Sequence, residues 1–143
     1  MLRRGPYLVA AGLDESTGGD PKVLAGRFIN LFDPELRALK RVTLRPGARF
    51  FLLDLEAVRG RELRVLASAC KALPTQHSRE NLTLVVEGVA GAPAVVLLRA
   101  PQPPRAINLA GQPWTDYQYS AADQLLWIHF PGASRPRELR LTF

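Results

Sequence analysis

Short apolar runs, broken by glycine, proline and aspartate at near-regular intervals, limit the fold of this chain more than any other feature. From Pro103 the order is Pro103-Pro104-Arg105, an apolar stretch Ala106-Ile107-Asn108-Leu109, a turn Ala110-Gly111-Gln112-Pro113, and then the aromatics Trp114, Tyr117 and Tyr119. Asp123-Gln124 precedes a second stretch, Leu125 to Phe130. Pro131-Gly132 breaks that stretch, and Leu139 to Phe143 closes the chain. Runs this short, bounded by turn residues, are what packed antiparallel sheets require.

The upstream sequence continues the pattern. Tyr7 to Ala11 reads as a strand, and Leu13 to Pro21, with Gly18-Gly19-Asp20-Pro21, as a loop. Val23 to Phe32 is apolar and ambiguous. Asp33-Pro34-Glu35 is a turn or the start of a short helix, since Asp suits a cap and Pro the first helical position. In Leu39 to Leu44, alternation sets Lys40, Val42 and Leu44 against Leu39, Arg41 and Thr43. Arg45-Pro46-Gly47 reads as a hairpin-like turn, and Arg49 to Leu55 as a strand buried on both sides or a buried helix segment, which periodicity alone does not separate. A helical turn fits Glu56-Ala57-Val58, closed by Gly60.

Leu63 to Ala72 is divided between helix, which its alanines favour, and strand, which its position favours. Leu73 to Asn81, containing Pro74, reads as a loop. Leu82 to Glu87 and Ala94 to Arg99 read as a hairpin across Gly88 to Pro93, with β-branched residues enriched in both arms. The expectation is about ten strands and at most one or two helical turns. There is no internal repeat and no linker long enough to divide the chain. The fold class expected is all-β: residues 1–143 as a single two-sheet antiparallel β-sandwich, immunoglobulin-like or galactose-binding-like.

Composition narrows the setting. With 143 residues, a domain buries roughly 68–70% of the surface its unfolded chain exposes. A hydrophobic share of 47% with 22% charged residues is that of a globular chain rather than a disordered one. No stretch approaches the ~18 apolar residues of a membrane-spanning helix, so no membrane partner is expected. Met1-Leu2-Arg3-Arg4-Gly5-Pro6 lacks the apolar region of a secretory signal. The chain is then cytoplasmic, or a piece of a larger exported protein with Met1 added. Cys70 is the single cysteine, which excludes an internal disulfide and a cysteine-built zinc site. In Ala67-Ser68-Ala69-Cys70 it reads as a small buried apolar side chain.

The net charge of +6 permits contact with phosphates or acidic polysaccharides. Arg27, Arg37, Arg41, Arg45, Arg49, Arg99 and Arg105 are nevertheless scattered. The denser groups are Arg59-Gly60-Arg61 with Arg64, and Arg135 with Arg137 and Arg140. This dispersal argues against a dedicated nucleic-acid surface.

The order Pro103-Pro104-Arg105-Ala106-Ile107-Asn108-Leu109-Ala110-Gly111-Gln112-Pro113, then Tyr117-Gln118-Tyr119, then Leu125-Leu126-Trp127-Ile128, resembles the C-terminal β-sandwich accessory domains of large glycoside hydrolases. The first half agrees in general shape through Leu24 to Asp33, Leu44-Arg45-Pro46-Gly47 and Leu52-Leu53-Asp54-Leu55. The resemblance covers most of the chain and is tightest from Leu97 to Phe143. Its motifs are turn residues and core aromatics, so it speaks to fold and neighbourhood. It implies a non-catalytic module of a multidomain carbohydrate-active enzyme. The catalytic domain of the parent chain would be its partner, with carbohydrate as a second.

Candidate chemistry is sparse. A glycosidase needs two carboxyl groups about 5–9.5 Å apart. Asp14 with Glu15, Asp54 with Glu56, and Asp116 with Asp123 qualify by type, yet each pair lies beside a turn, where such residues serve local hydrogen bonding. Cys70 or Ser78 with His77 or His129 forms no recognisable nucleophile arrangement. Asp14, Asp20 and Asp33 match no calcium-loop spacing, and Gly18-Gly19 is no phosphate loop. No catalytic residue, metal ligand or cofactor is expected.

The aromatic group of the last third is the candidate for ligand contact or domain docking: Trp114, Tyr117, Tyr119, Trp127 and His129. An indole or phenol ring lies well against the apolar face of a sugar. Alternation puts Leu126, Ile128 and Phe130 on one face, expected to be core, and Leu125, Trp127 and His129 on the other. An outward Trp127 needs a cover: a sugar, a neighbouring domain, or a loop of the same chain. The function expected is an accessory module that docks on and stabilises a catalytic domain and contacts glycan. The alternative is a free-standing basic module for nucleic acid or an acidic polymer, with affinity falling steeply with salt.

Overall fold

The computed structural model describes residues 1–13 and 20–143, so the Asp14–Glu15 pair and the Gly18-Gly19 turn lie outside the described residues. The described chain is all-β, with fourteen strands in three antiparallel sheets and no helix. It divides into two compact units, Met1–Gly60 and Arg61–Phe143. The strand count exceeds the expected ten or so because two- and three-residue strands form and because one expected loop is a strand.

The first unit is one five-stranded sheet. Its strands are β1 (Leu2–Arg4), β2 (Tyr7–Ala11), β3 (Lys22–Asn30), β4 (Ala38–Leu44) and β5 (Arg49–Asp54), in the order β1-β2-β5-β3-β4. The Arg45-Pro46-Gly47 turn forms, with Ala48 N–H donating to the Arg45 carbonyl and Gly47 at a φ of 76°. It does not close a hairpin, because β3 lies between the two strands it joins. The central place of β5 accounts for its apolar run. Leu8, Ala10, Phe28, Val42, Leu44 and Leu52 form the core on one face. Directly opposed residues of an antiparallel pair share a face. Tyr7, Val9 and Phe51 therefore lie on the other side, continuing to Leu53 and Ile29, which are buried.

Neither expected helical turn forms. Asp33 accepts a hydrogen bond from Glu35 N–H at 3.1 Å, and Asp54 accepts from Glu56 N–H at 3.0 Å and Ala57 N–H at 3.4 Å. These carboxylates offer the backbone a local partner in place of a helical one, and each segment stays a turn.

The second unit holds β6 (Arg64–Ser68), β7 (Lys71–His77), β8 (Asn81–Glu87), β9 (Pro93–Arg99), β10 (Ala106–Leu109), β11 (Gln112–Pro113), β12 (Tyr117–Ser120), β13 (Leu125–Pro131) and β14 (Arg137–Thr142). They form two sheets, β11-β10-β14-β8-β7 and β12-β13-β9-β6. One core joins the two: Leu84, Val86, Leu139 and Leu141 from the first sheet meet Val96, Leu98, Leu126 and Ile128 from the second.

The expected hairpin of Leu82–Glu87 with Ala94–Arg99 is corrected by this arrangement. β8 pairs with β7 and β14, whereas β9 pairs with β6 and β13. The segment between them passes from one sheet to the other, braced where Gly132 N–H donates to the Ala92 carbonyl at 2.6 Å. Both strands look alike in sequence because both are internal to their sheets. The loop expected over Leu73 to Asn81 is also corrected: β7 runs through Pro74 to His77. It is an edge strand, where a residue lacking an N–H is tolerated, and its register shifts between Pro74 and Gln76. Between Leu63 and Ala72 the strand alternative holds, with β6 ending at Ser68 and β7 beginning at Lys71 after a bend. Downstream, Ala110 and Gly111 have φ values of 51° and 79°, the left-handed pair that a two-residue hairpin turn demands between β10 and β11.

Candidate functional site

Along β13 the alternation holds. Leu126, Ile128 and Phe130 enter the core of the second unit, and Leu125, Trp127 and His129 take the other face. That face is closed rather than open: Leu125 is 0% exposed and Trp127 8%. Trp114 packs against the core and donates its indole N–H to the His129 carbonyl at 2.8 Å. Tyr119 also packs against the core, and its hydroxyl donates to the Ala100 carbonyl at 3.2 Å. Tyr117, opposite Ile128 at the sheet edge, is the one exposed member of the five, at 38%. The structure brings Trp114 and His129 together, and His129 N–H donates to the Asp116 carbonyl at 3.0 Å. Asp116 and His129 line a cleft of about 290 Å³ with Pro93 and Phe130.

Of the candidate carboxylates, Asp54 and Asp123 hold turns. Asp54 takes the Arg3 guanidinium at 2.8 Å beside its two backbone donors. Asp123 accepts from the Ser120 hydroxyl at 3.1 Å. Ser78 is engaged with Asn81, receiving its N–H at 3.0 Å. With His77, Gln76, Asn81, Thr83 and Arg140 it lines an open polar groove of about 410 Å³ at the end of β7. Burial pushes the Cys70 thiol up, opposed in part by the charge of Arg137. Among the described residues, no three His, Cys, Asp or Glu side chains gather as a metal site would need.

Within the denser basic groups, Arg64, Arg137 and Arg140 are locally engaged. Arg64 pairs with Glu62 at 3.3 Å and Arg140 with Glu138 at 2.8 Å. Arg137 lies over the Phe130 ring, 5.6 Å from its centroid, and donates to the Pro131 carbonyl.

The open aromatic surface is in the first unit, where the sequence had suggested none. Tyr7 on β2 and Phe51 on β5 have ring centroids 5.7 Å apart, and Phe32, just past β3, lies 6.1 Å from Phe51. Tyr7 is 42% exposed and Phe32 64%, and Leu2 and Val9 beside them are exposed too. These rings come from three separate stretches of chain, so only strand register unites them. The signal available beforehand was the alternation of Tyr7 and Val9 against Leu8 and Ala10, which turns an aromatic ring outward.

No protein-family model, no curated protein and no solved structure matches this chain.

Proposed function

We propose that this chain is a non-catalytic accessory module of a carbohydrate-active enzyme, a glycoside hydrolase, that works beside the parent catalytic domain and holds glycan near it. The observation carrying this reading is the strip Tyr7–Phe51–Phe32 with exposed Leu2 and Val9. Contiguous exposed apolar surface marks a contact site, and aromatic rings suit the C–H faces of sugars. The second unit, in the same proposal, is a two-sheet sandwich of immunoglobulin-like or galactose-binding-like type; the single core shared by its sheets supports this. Local pairing of Arg64 and Arg140 counts against a phosphate-tracking stripe, the alternative reading.

Affinity electrophoresis in gels cast with a panel of polysaccharides tests the proposal. The wild-type chain should be retarded by at least one polymer, and Phe32→Ala should abolish the retardation without lowering the melting temperature. A chain retarded by no polymer, joined to a catalytic domain whose rate on polysaccharide does not change when the module is deleted, would end this reading.

A further inference from the structure

Resting on the accessory-module reading, we infer that the aromatic strip of the first sheet takes an acidic polysaccharide, one bearing carboxylates at intervals along its chain, rather than a neutral one. Two arginines flank the Tyr7–Phe51 part of the strip. Arg4 stands directly opposite Tyr7 across β1 and β2, and so shares its face. Arg49 precedes Phe51 by two residues on β5 and stands opposite Ala11, again on that face. Both are exposed. Neither belongs to any ion pair found among the described residues.

Spacing selects the ligand. Arg4 and Arg49 are separated by four residues along the strand direction and by two strand spacings across the sheet, which places their Cα atoms on the order of 17 Å apart. A single small carboxylate cannot reach both. A polymer can, laying ring faces on Tyr7 and Phe51 between two charged sugars, with each guanidinium gripping a carboxylate in its two-pronged geometry. A single nucleic-acid strand carries a phosphate on every nucleotide and calls for a cationic groove along its whole track. Here the middle of the strip, Leu2, Val9 and Phe51, is apolar. The charge pattern fits sparse anions.

Gel retardation and calorimetry with hyaluronan, in which every second sugar carries a carboxylate, neutral galactan and an oligo-thymidine strand decide the matter. Hyaluronan should bind the wild-type chain most tightly. Arg4→Glu and Arg49→Glu should each weaken that binding by about tenfold, with melting temperatures unchanged because both side chains are exposed. Equal retention by galactan, or indifference to both arginine variants, overturns the acidic ligand and leaves the accessory reading standing. Retention by none of the three overturns the acidic ligand, and tighter retention of the oligonucleotide overturns both.

Discussion

At Gly12 the chain of the first unit passes so close to the Arg45 carbonyl that a Cβ would run into it. Both of its backbone groups are engaged, the N–H with the Ala48 carbonyl at 2.9 Å and the carbonyl with Gly47 N–H at 3.1 Å. Gly12→Ala must force two stretches of backbone apart, so we expect a loss of about 1–3 kcal/mol, seen as a lower urea midpoint at unchanged slope. Asp33 gives a different kind of test. The Arg37 guanidinium, hydrogen-bonded at 2.8 Å, holds its carboxyl below the usual carboxylate range, assisted by Glu35 N–H and opposed by partial burial. A carboxyl depressed by folding stabilises above its unfolded pKa of about 3.9, and the gain disappears as pH falls through the lowered folded value. Asp33→Asn should therefore flatten the acid limb of a melting-temperature profile below about pH 5. The effect should be small and weaker still in salt, since Arg37 is largely in water.

Within β13, burial and hydrogen bonding predict distinct costs. Ile128→Ala, fully buried, should lose about 2–5 kcal/mol of unfolding free energy, and Trp127→Ala, 8% exposed, about 3–5. A solvent-facing Trp127 would instead be nearly neutral. Trp114→Phe keeps an aromatic ring at the site but removes the indole donor to the His129 carbonyl and some packing, a loss of at least about 1 kcal/mol by chemical denaturation. The alternation of β13 and the Ala110–Gly111 turn were legible in the sequence because each depends on nearest neighbours. Pairing partners were not. β8 and β9 carry the same apolar, β-branched signature, and nothing local says that they belong to different sheets. The site suffered likewise: Trp114, Tyr119 and Trp127 were visible as aromatics, but the core contact or burial of each emerges only from the fold. Tyr7, Phe32 and Phe51 were invisible as a group because their proximity is a property of register.

On the scale of the whole chain, the cores described in each unit predict uneven protection. β8, β9, β13 and β14 are internal strands whose core-facing residues are almost wholly buried, so their amides should exchange slowest with deuterium. The exposed edge β7 and the two-residue β11 should exchange fastest, and mass spectrometry of peptic fragments reads both. β7 carries a further consequence. A bare sheet margin invites a strand from another molecule, the first step towards a fibril. Pro74 and the adjoining bulge deny an incoming chain a straight ladder to copy, and Lys71 adds a charge that resists stacking in register. This margin should keep the protein dispersed at concentrations where a smooth, proline-free rim would seed amyloid.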